Sequence, residues 1–335
     1  MALPMLLWGS VSQRLGRKPV LLAALGLYGL SNLALPLGTT VEAFLTLRLI
    51  QGIGASGISV MARVLIRDSF NGDLLAKALS WISIAFVIAL GIGQYLGSLI
   101  QVALGWEAIF YGLRAVSLAM AVAVSRVGFP VLTESSHGQS AWRVYGRILR
   151  YRGFLLPALA GGLGYGVIVA FNTAAPLILQ ESFHWSAIEY GLLGWPISAA
   201  YLFGALAVNA FVLRTGQRRL MSWGIALVLG GSATMLLGSV ALSSVALLFW
   251  LPYCFAVFGQ SLNYPISLSL ANEGSPVAGA YAMALSGFLH QLMASAIGAM
   301  ASLLLSQQAW PLAALCTLLA VAAMLCVRFM PPRVA

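Results

Sequence analysis

Charged residues are scarce in this chain, which has 335 residues of which only 8% are Asp, Glu, Lys or Arg. Soluble domains carry about 25% charged residues, so an ordinary soluble fold is excluded. Hydrophobic residues make up 61% of the sequence, and the mean hydropathy is +0.94. These values predict an all-α integral membrane protein.

Cysteine is also rare, and the sequence shows no pattern of metal-binding or catalytic residues. Cys254, Cys316 and Cys326 lie within apolar runs and lack the spacing of metal ligands. We therefore predict neither a disulfide framework nor a cysteine metal site. No H-E-x-x-H, G-x-S-x-G or P-loop motif occurs, so we expect no enzymatic activity, no metal and no cofactor.

Acidic residues are the third shortage, with eight Asp and Glu against eighteen Lys and Arg. All eight acids fall in loops or at the ends of apolar runs, and none lies deep within a run. A buried carboxylate with a raised pKa is the usual means by which a transporter couples protonation to a change of shape. The sequence provides no such group.

Long apolar runs are what the chain has in abundance. We predict eleven membrane spans, at about residues 1–11, 19–38, 43–65, 78–103, 107–125, 154–180, 187–212, 220–240, 245–271, 278–305 and 309–327. The first run is too short, because about eleven residues at ~1.5 Å each cross only half of a ~30 Å hydrocarbon core. We expect it to be a truncated span and not a signal peptide, since no basic residue precedes it.

The basic residues orient the predicted spans. Sixteen of the eighteen lie in or next to the odd-numbered loops or after the last span, and the other two, Arg48 and Arg114, lie within spans away from these loops. By the positive-inside rule, the odd-numbered loops and the C-terminus are predicted to be cytoplasmic. The net charge of +10 then reflects topology, and we expect no nucleic-acid partner.

One long polar connection divides the sequence. We expect residues 1–125 to form an N-terminal helical half, 126–153 a cytoplasmic central loop with a helix on the membrane surface, and 154–335 a C-terminal half. The segment Arg14-Leu15-Gly16-Arg17-Lys18 recurs 200 residues later as Arg214-Thr215-Gly216-Gln217-Arg218. Such a parallel repeat is typical of transporters built from two similar halves.

Several motifs follow the order found in major facilitator transporters. Gly9 to Lys18 resembles the loop motif G-x-x-x-D-R-x-G-R-K, Arg48 to Gly54 resembles R-x-x-Q-G-x-G of the fourth helix, and Gly105 to Phe110 resembles G-W-R-x-I-F at the sixth. The chain thus resembles drug:proton antiporters of the Bcr/CflA and EmrD type in the major facilitator superfamily, without the family's first helix. The resemblance implies a bundle of two pseudo-symmetric six-helix halves, here with about eleven transmembrane helices, in the bacterial inner membrane.

The resemblance also implies a function, namely efflux of small lipophilic or amphipathic drugs and antibiotics by alternating access. The expected partners are a small-molecule drug, protons and the lipid bilayer, and we expect a monomer. Proton coupling is expected if a complete first helix is supplied, because related antiporters commonly carry an acid there. Two alternatives stay open: a solute facilitator that is not coupled to protons, and a truncated remnant that does not transport.

Two motifs depart from the family pattern. In the first loop, Gln13 replaces the carboxylate that helps to hold the outward-open state in the family, and the resemblance assigns this conformational role to Gly9, Gln13, Arg14, Gly16, Arg17 and Lys18. The fifth-helix antiporter motif lacks its proline. We predict that the positions of this motif and of the fourth-helix motif serve close helix packing. They are Gly52, Gly54, Gly93, Gln94 and Gly97.

Arg48 is the strongest functional candidate, because a guanidinium inside a span costs several kcal/mol unless it faces a partner or water. The resemblance ties this arginine to proton movement, and we predict a role in transport for Arg48, Gln51 and His290. The alternative for Arg48 is a position near the outer end of its span, from which the side chain snorkels to the interface. Histidine is the side-chain type suited to carrying a proton at physiological pH, so two roles stay open for His290: a proton carrier, or a hydrogen-bonding group between helices.

Polar and aromatic residues at mid-membrane depth are candidates for lining a drug cavity, since transporter sites lie between the halves near the bilayer midplane. Ordinary helix packing is the alternative for each of them. The candidates are Tyr165, Phe171, Asn172, Trp195, Tyr201, Tyr253, Gln260, Asn263, Tyr264, His290 and Gln291.

Overall fold

The structure of the chain is a computed structural model that describes residues 2–128, 140–242, 244–277, 279–303 and 308–331. All regular secondary structure in these ranges is helical. The helices are α1 (Ala2–Leu15), α2 (Arg17–Ala34), α3 (Val41–Ser69), α4 (Gly72–Leu104), α5 (Trp106–Arg126), α6 (Ala141–Leu149), α7 (Arg152–Ser182), α8 (Ala187–Leu192), α9 (Gly194–Thr215), α10 (Gln217–Ala241), α11 (Leu247–Glu273), α12 (Ala280–Leu303) and α13 (Trp310–Arg328).

Each of the eleven predicted spans corresponds to helix in the structure. Within the described ranges, nine helices are both long and apolar enough to cross a membrane. Two of the eleven predicted spans, α1 and α11, are not among these nine helices, for different reasons. Helix α1 has only 14 residues, whereas α11 has 27 residues but carries a row of amide, hydroxyl and proline residues that lowers its mean hydropathy.

Local sequence explains where several helices end. Gly16 has φ of 89° and separates α1 from α2, and Gly216 has φ of 78° and separates α9 from α10. A left-handed φ of this kind is accessible to glycine and costly for residues with a Cβ. Helix α8 begins with a capping box, in which the Ser186 hydroxyl accepts from the Glu189 amide while the Glu189 carboxylate accepts from the Ser186 amide.

The chain divides into two compact units. The first consists of Met1–Ser69, Ile88–Arg147 and Val277–Phe288, and the second of Phe70–Val87, Ile148–Pro276 and Leu289–Ala335. Helices α4 and α12 therefore contribute residues to both units. A helix of 33 residues such as α4 is about 50 Å long, so its two ends have different neighbours.

The core of the second unit lies mainly between α7, α10, α11 and α13. Phe171, Tyr253 and Phe249 stack in it, with ring centroids 3.5 Å apart for Phe171 and Tyr253 and 5.3 Å apart for Phe171 and Phe249. All three side chains are buried. Stacked aromatic pairs of this kind add about 1 kcal/mol each beyond the burial of their area.

Candidate functional site: a repeated turn, a membrane arginine and a polar helix face

The turn between α1 and α2 is held by a buried arginine. The Arg17 Nε donates to Asp68 Oδ2 at 2.9 Å, and its Nη1 donates to both the carbonyl and the hydroxyl of Ser12 at 3.1 Å. The Arg17 side chain is only 4% exposed and that of Asp68 19%. The ion pair therefore joins the α1–α2 turn to the last turn of α3 inside the first unit.

Lys18 connects the same turn to α5. Its Nζ donates to the carbonyls of Ser125 at 2.7 Å and Val127 at 3.0 Å, where α5 ends. Carbonyl groups at a helix C-terminus lack partners within the helix and carry partial negative charge, so a lysine stabilises them. Arg14 is exposed.

Gly9 and Gln13 of this loop motif lie close to the start of α12. Gly9 is buried, and a Cβ at this position would clash with the Ala284 side chain and lie 3.2 Å from the Ala280 carbonyl. Gln13 is half-buried, and its amide nitrogen is 3.6 Å from the position of a Cβ on Gly279. Only glycine at position 9 permits this approach of α1 to α12.

The second half of the chain repeats this arrangement with different chemistry. Gln217, at the position equivalent to Arg17, donates from Nε2 to the Glu273 carboxylate at 2.7 Å, at the end of α11. Arg218, equivalent to Lys18, donates to the carbonyl of Pro331 beyond α13. The sequence repeat is thus also a structural repeat, in which an ion pair in the first unit corresponds to an amide–carboxylate pair in the second.

Arg48 occupies the second turn of α3. Its guanidinium carbon lies 5.1 Å from the ring centroid of Phe44 and 4.8 Å from that of Phe110, within cation–π distance. The Nη1 group donates to Gln51 Oε1 at 3.0 Å. The side chain therefore has aromatic and amide partners inside the first unit, although the residue as a whole is exposed.

Gln51, the hydrogen-bond partner of Arg48, is in turn bonded to α2. Gln51 Nε2 donates to Asn32 Oδ1 at 2.9 Å, and Asn32 Nδ2 donates to the Tyr28 carbonyl at 2.7 Å. Gln51 is 8% exposed and Asn32 is fully buried. We call Arg48, Gln51 and Asn32 the arginine row; it is a continuous set of hydrogen bonds from the surface of α3 to the backbone of α2.

The depth of Arg48 follows from helix geometry. Helix α3 has 29 residues and is about 43 Å long, so roughly 7 Å extends beyond each face of a ~30 Å core if the helix is centred. Arg48 lies about 10 Å from the start of α3 on the same scale, which places its Cα a few ångströms inside the core. A long side chain at this depth reaches the interface, so partnering and snorkelling are both sterically accessible.

Glycines in α3, at and just after the fourth-helix motif, allow α1 and α2 to approach α3 closely. A Cβ at Gly54 would lie 2.7 Å from the Tyr28 amide nitrogen, and one at Gly57 would lie 2.7 Å from the Trp8 ring. Gly52 is half-buried. In α4, a Cβ at Gly97 would meet no described atom within 4 Å, and the side-chain surroundings of Gly93 and Gln94 lie outside what the structure describes.

In the second unit, polar side chains of α11 and α12 face glycines of α7. Gln260 Nε2 donates to the Gly161 carbonyl at 3.1 Å, and Asn263 Nδ2 donates to the Ala160 carbonyl at 3.1 Å and to Gln260 Oε1 at 2.9 Å. His290 Nε2 is 2.9 Å from the Ala158 carbonyl. All three side chains are buried, and we call this set the polar helix face.

The polar helix face depends on small residues. A Cβ at Gly161 would clash with the Ser267 hydroxyl, and one at Gly164 would clash with the Gln260 side chain. In a membrane, interfaces between helices are enriched in small residues and in polar side chains that bond across helices. The geometry thus gives Gln260, Asn263 and His290 a packing role.

The structure does not place Phe171 and Tyr253 on a cavity wall. Both are 0% exposed and stack on each other in the core of the second unit. A ring covered on both faces has no area left for a solute, so packing is the role that the geometry gives them. Tyr165 and Tyr264 are half-buried, with ring centroids 5.9 Å apart, and Tyr264 lies 5.3 Å from the His290 ring.

The remaining cavity candidates are exposed or half-buried. Trp195 is 77% exposed, Asn172 is exposed, and Tyr201 and Gln291 are half-buried. The structure therefore brings together Tyr165, Tyr264 and the polar helix face, and leaves Trp195 and Asn172 outside that group.

Three important residues were not among the predicted site residues, namely Asn32, Asp68 and Tyr145. Asn32 could have been found from the sequence, because an amide within an apolar span needs a hydrogen-bond partner. The phenol of Tyr145, on α6, donates to the Leu6 carbonyl at 2.6 Å, and its ring lies 5.3 Å from that of Tyr281. Burial, with a smaller contribution from Tyr281, raises the pKa of Tyr145 above its ordinary value, so the phenol remains a donor.

Within the part of the chain that the structure describes, no group of three or more His, Cys, Asp or Glu residues could hold a metal ion. The functional groups that the structure assembles are thus a paired arginine, helix-capping cations and buried amides.

Comparisons with known proteins identify the family. The sequence profile of the Major Facilitator Superfamily matches residues 1–299. The multidrug transporter MdfA of Yersinia pestis bv. Antiqua is 30% identical over 273 residues, and MdfA of Escherichia coli O6:H1 is 29% identical over 277 residues. Both alignments cover 80% of this chain and 64% of the relative, so the chain spans less than two thirds of these proteins.

Solved structures agree on the fold. The proton:xylose symporter XylE superposes with a TM-score of 0.79 at 15% identity, covering 98% of this chain and 84% of XylE. The E. coli fucose:proton symporter FucP superposes with a TM-score of 0.76 at 15% identity, covering 99% and 88%. At such identities the likeness shows the fold alone. Taken with the profile match, it establishes that this chain is a multi-pass membrane protein of the Major Facilitator Superfamily.

Proposed function

We propose that the chain exports small lipophilic or amphipathic compounds across the bacterial inner membrane by alternating access, as a drug transporter of the Bcr/CflA and EmrD type. Three features support this: membership of a transporter family, similarity to proteins named multidrug transporters, and the repeated turns of the two halves. The cytoplasmic side is assigned to the odd-numbered loops by their basic residues.

The observation that carries the proposal is the arginine row. A charge inside a span is costly and is retained where it serves a pathway or a partner. Arg48 has its charge stabilised by two aromatic rings and by Gln51, and Gln51 in turn is fixed by buried Asn32. The row therefore holds a permanent positive charge in a defined position between α2, α3 and α5.

A permanent charge acts on conformation through its neighbours. An arginine does not deprotonate in proteins, so Arg48 carries no proton through a cycle itself. It changes an equilibrium only if its interactions differ between the two states of the transporter. We propose that the amide of Gln51 is the group whose contact with Arg48 changes between those states.

Coupling to protons is a separate proposal, because the acids among the described residues lie at helix ends. Asp68 is the penultimate residue of α3, Glu273 is the last residue of α11, and Glu42 and Glu107 are in first turns. Among the described residues, His290 is a buried histidine inside a membrane helix. The position of these acids favours a second candidate function, a facilitator that is not driven by protons.

The test is compound accumulation in cells that lack their own drug exporters. Cells that produce the chain should accumulate less of a lipophilic fluorescent cation than cells with an empty vector. Arg48→Ala and Gln51→Leu should abolish the difference, and Arg48→Lys should restore part of it. Arg114→Ala is the matched control, since Arg114 is an exposed arginine of α5.

Equal loss in Arg48→Ala and Arg114→Ala, at equal protein amounts in the membrane, would remove the arginine row from the mechanism. An imposed pH difference across inside-out vesicles then separates the two functions. Uphill uptake that stops when the gradient is dissipated supports proton coupling, and uptake that only follows the compound's own gradient supports the facilitator.

A further inference from the structure

A basic cavity of about 530 Å³ lies within the second unit. It is formed at the start of α7, near the start of α10, and at the ends of α11 and α13. Its lining includes three arginines, one carboxylate and several apolar side chains: Arg150, Arg152, Arg218, Glu273, Pro157, Leu270 and Met330. A volume of this size is in the range of small-molecule sites.

The charge of the lining is positive. Arg150 and Arg152 are exposed, and Arg218 is half-buried. The one carboxylate in the described part of the lining, Glu273, accepts a hydrogen bond from Gln217 at 2.7 Å. Among the described lining residues, three cations thus accompany one anion.

Arg218 has a hydrogen-bond donor that is not used. One terminal nitrogen donates to the Pro331 carbonyl, but the Nε is buried and has no hydrogen-bond partner within the described residues. A buried donor without a partner is unfavourable, and a guanidinium is a planar fork that matches two oxygens of a phosphate. The comparison with the first unit is informative, because the cation equivalent to Arg218 there, Lys18, is satisfied by two carbonyls.

The apolar part of the lining indicates what kind of molecule carries the anionic group. Pro157, Leu270 and Met330 provide an apolar wall beside the arginines, and the cavity lies at the ends of membrane helices. Basic pockets between membrane helices are suited to phospholipid head groups, whose phosphate binds arginine while the acyl chains remain in the bilayer. We propose that this cavity is a phosphate-binding site that takes the head group of an anionic phospholipid.

The test is lipid binding by the purified full chain in a zwitterionic detergent, followed by native mass spectrometry. The probes are phosphatidylglycerol and phosphatidylcholine with the same acyl chains. The cavity variant is the triple Arg150→Gln, Arg152→Gln and Arg218→Gln. The control is the triple Arg143→Gln, Arg214→Gln and Arg219→Gln, which removes the same charge from three exposed arginines that do not line the cavity.

We expect phosphatidylglycerol to bind the wild-type chain and the control triple more tightly than phosphatidylcholine does. The cavity triple should bind it about 100-fold more weakly, since each basic residue near an anionic surface contributes about fivefold. Equal binding by the two triples would overturn the proposal. If the cavity triple does not fold, Arg218→Gln and Arg218→Lys replace it, with the larger loss expected in Arg218→Gln because lysine keeps the charge.

Inorganic phosphate as a competitor distinguishes a lipid head group from a free phosphate ion as the occupant of the site. Phosphatidylglycerol that stays bound in millimolar phosphate supports a lipid site in which the apolar wall contributes. Displacement by phosphate supports the arginine cluster as a site for free phosphate anions, and overturns the assignment to a lipid.

Discussion

Removing the carboxylate of Asp68 should destabilise the protein more than removing its counterpart in the second half. Arg17 is 4% exposed and has Asp68 as its ion partner, so Asp68→Asn leaves a buried guanidinium without a counter-charge. Breaking a fully buried pair costs about 3–5 kcal/mol, whereas an exposed pair contributes below about 1 kcal/mol. Asp68 is 19% exposed, which places the expected cost between these values, at about 2–3 kcal/mol.

The two partners of this ion pair are not equivalent. Asp68 also lies 3.5 Å from Arg67, so Arg17→Gln leaves the carboxylate with a second cation. Gln217 shows that an amide is compatible with this position, since it pairs with Glu273 at the equivalent place. Arg17→Gln should therefore cost less than Asp68→Asn. The double variant should cost less than the sum of the two, because it removes both charges at once.

The assay is thermal unfolding of the purified protein in detergent, followed by tryptophan fluorescence. At about 2 °C per kcal/mol for a chain of this size, Asp68→Asn should lower the midpoint by roughly 4–6 °C. Glu273→Gln is the control, with an expected decrease of about 2 °C, because it weakens a hydrogen bond to an exposed carboxylate. A midpoint for Asp68→Asn at or above that of Glu273→Gln would refute the reasoning, as would strict additivity in the double variant.

Three further outcomes are expected. Tyr145→Phe removes the hydrogen bond to the Leu6 carbonyl and should cost about 1 kcal/mol, seen as a lower unfolding midpoint; an unchanged midpoint would show that water or another donor replaces the phenol. Gly54→Ala should prevent α2 and α3 from packing and abolish a monodisperse size-exclusion peak, whereas Gly26→Ala, where a Cβ meets no described atom within 4 Å, should be neutral or stabilising. Reporter fusions after Arg150 and after Ala335 should both score as cytoplasmic, and an outside score for either would contradict the topology derived from the basic loops.

The sequence predicted the family and the helical architecture well, because both depend on patterns along the chain. Apolar runs located the helices, and the glycines at 16 and 216 marked the repeated turn, where the structure shows left-handed φ in both copies. The match of the family profile confirms the major facilitator assignment. The antiporter subtype stays a prediction.

The partners of the functional side chains were less accessible to sequence reasoning. Asp68 is 51 positions from Arg17 along the chain, and no local pattern shows that the end of α3 lies beside the α1–α2 turn. The same limit applies to Asn32 and Gln51, which are joined only by the packing of α2 against α3.

Residue type alone also did not distinguish residues that line a cavity from residues in the core. Tyr253 and Tyr264 are both tyrosines of α11, eleven positions apart in the printed sequence. The first is buried in an aromatic stack, and the second is half-buried beside Tyr165. Three turns of helix separate them, and the neighbours that cover each one come from other helices.

Counterflow in liposomes tests whether this chain transports small lipophilic compounds by alternating access. Purified protein is reconstituted, the liposomes are loaded with unlabelled compound, and uptake of an external tracer is followed without any pH difference. We expect a transient accumulation of tracer above that of protein-free liposomes, lost in Arg48→Ala and retained in Arg114→Ala. Tracer uptake by the wild-type chain that equals that of protein-free liposomes, across compounds of different charge, would contradict it.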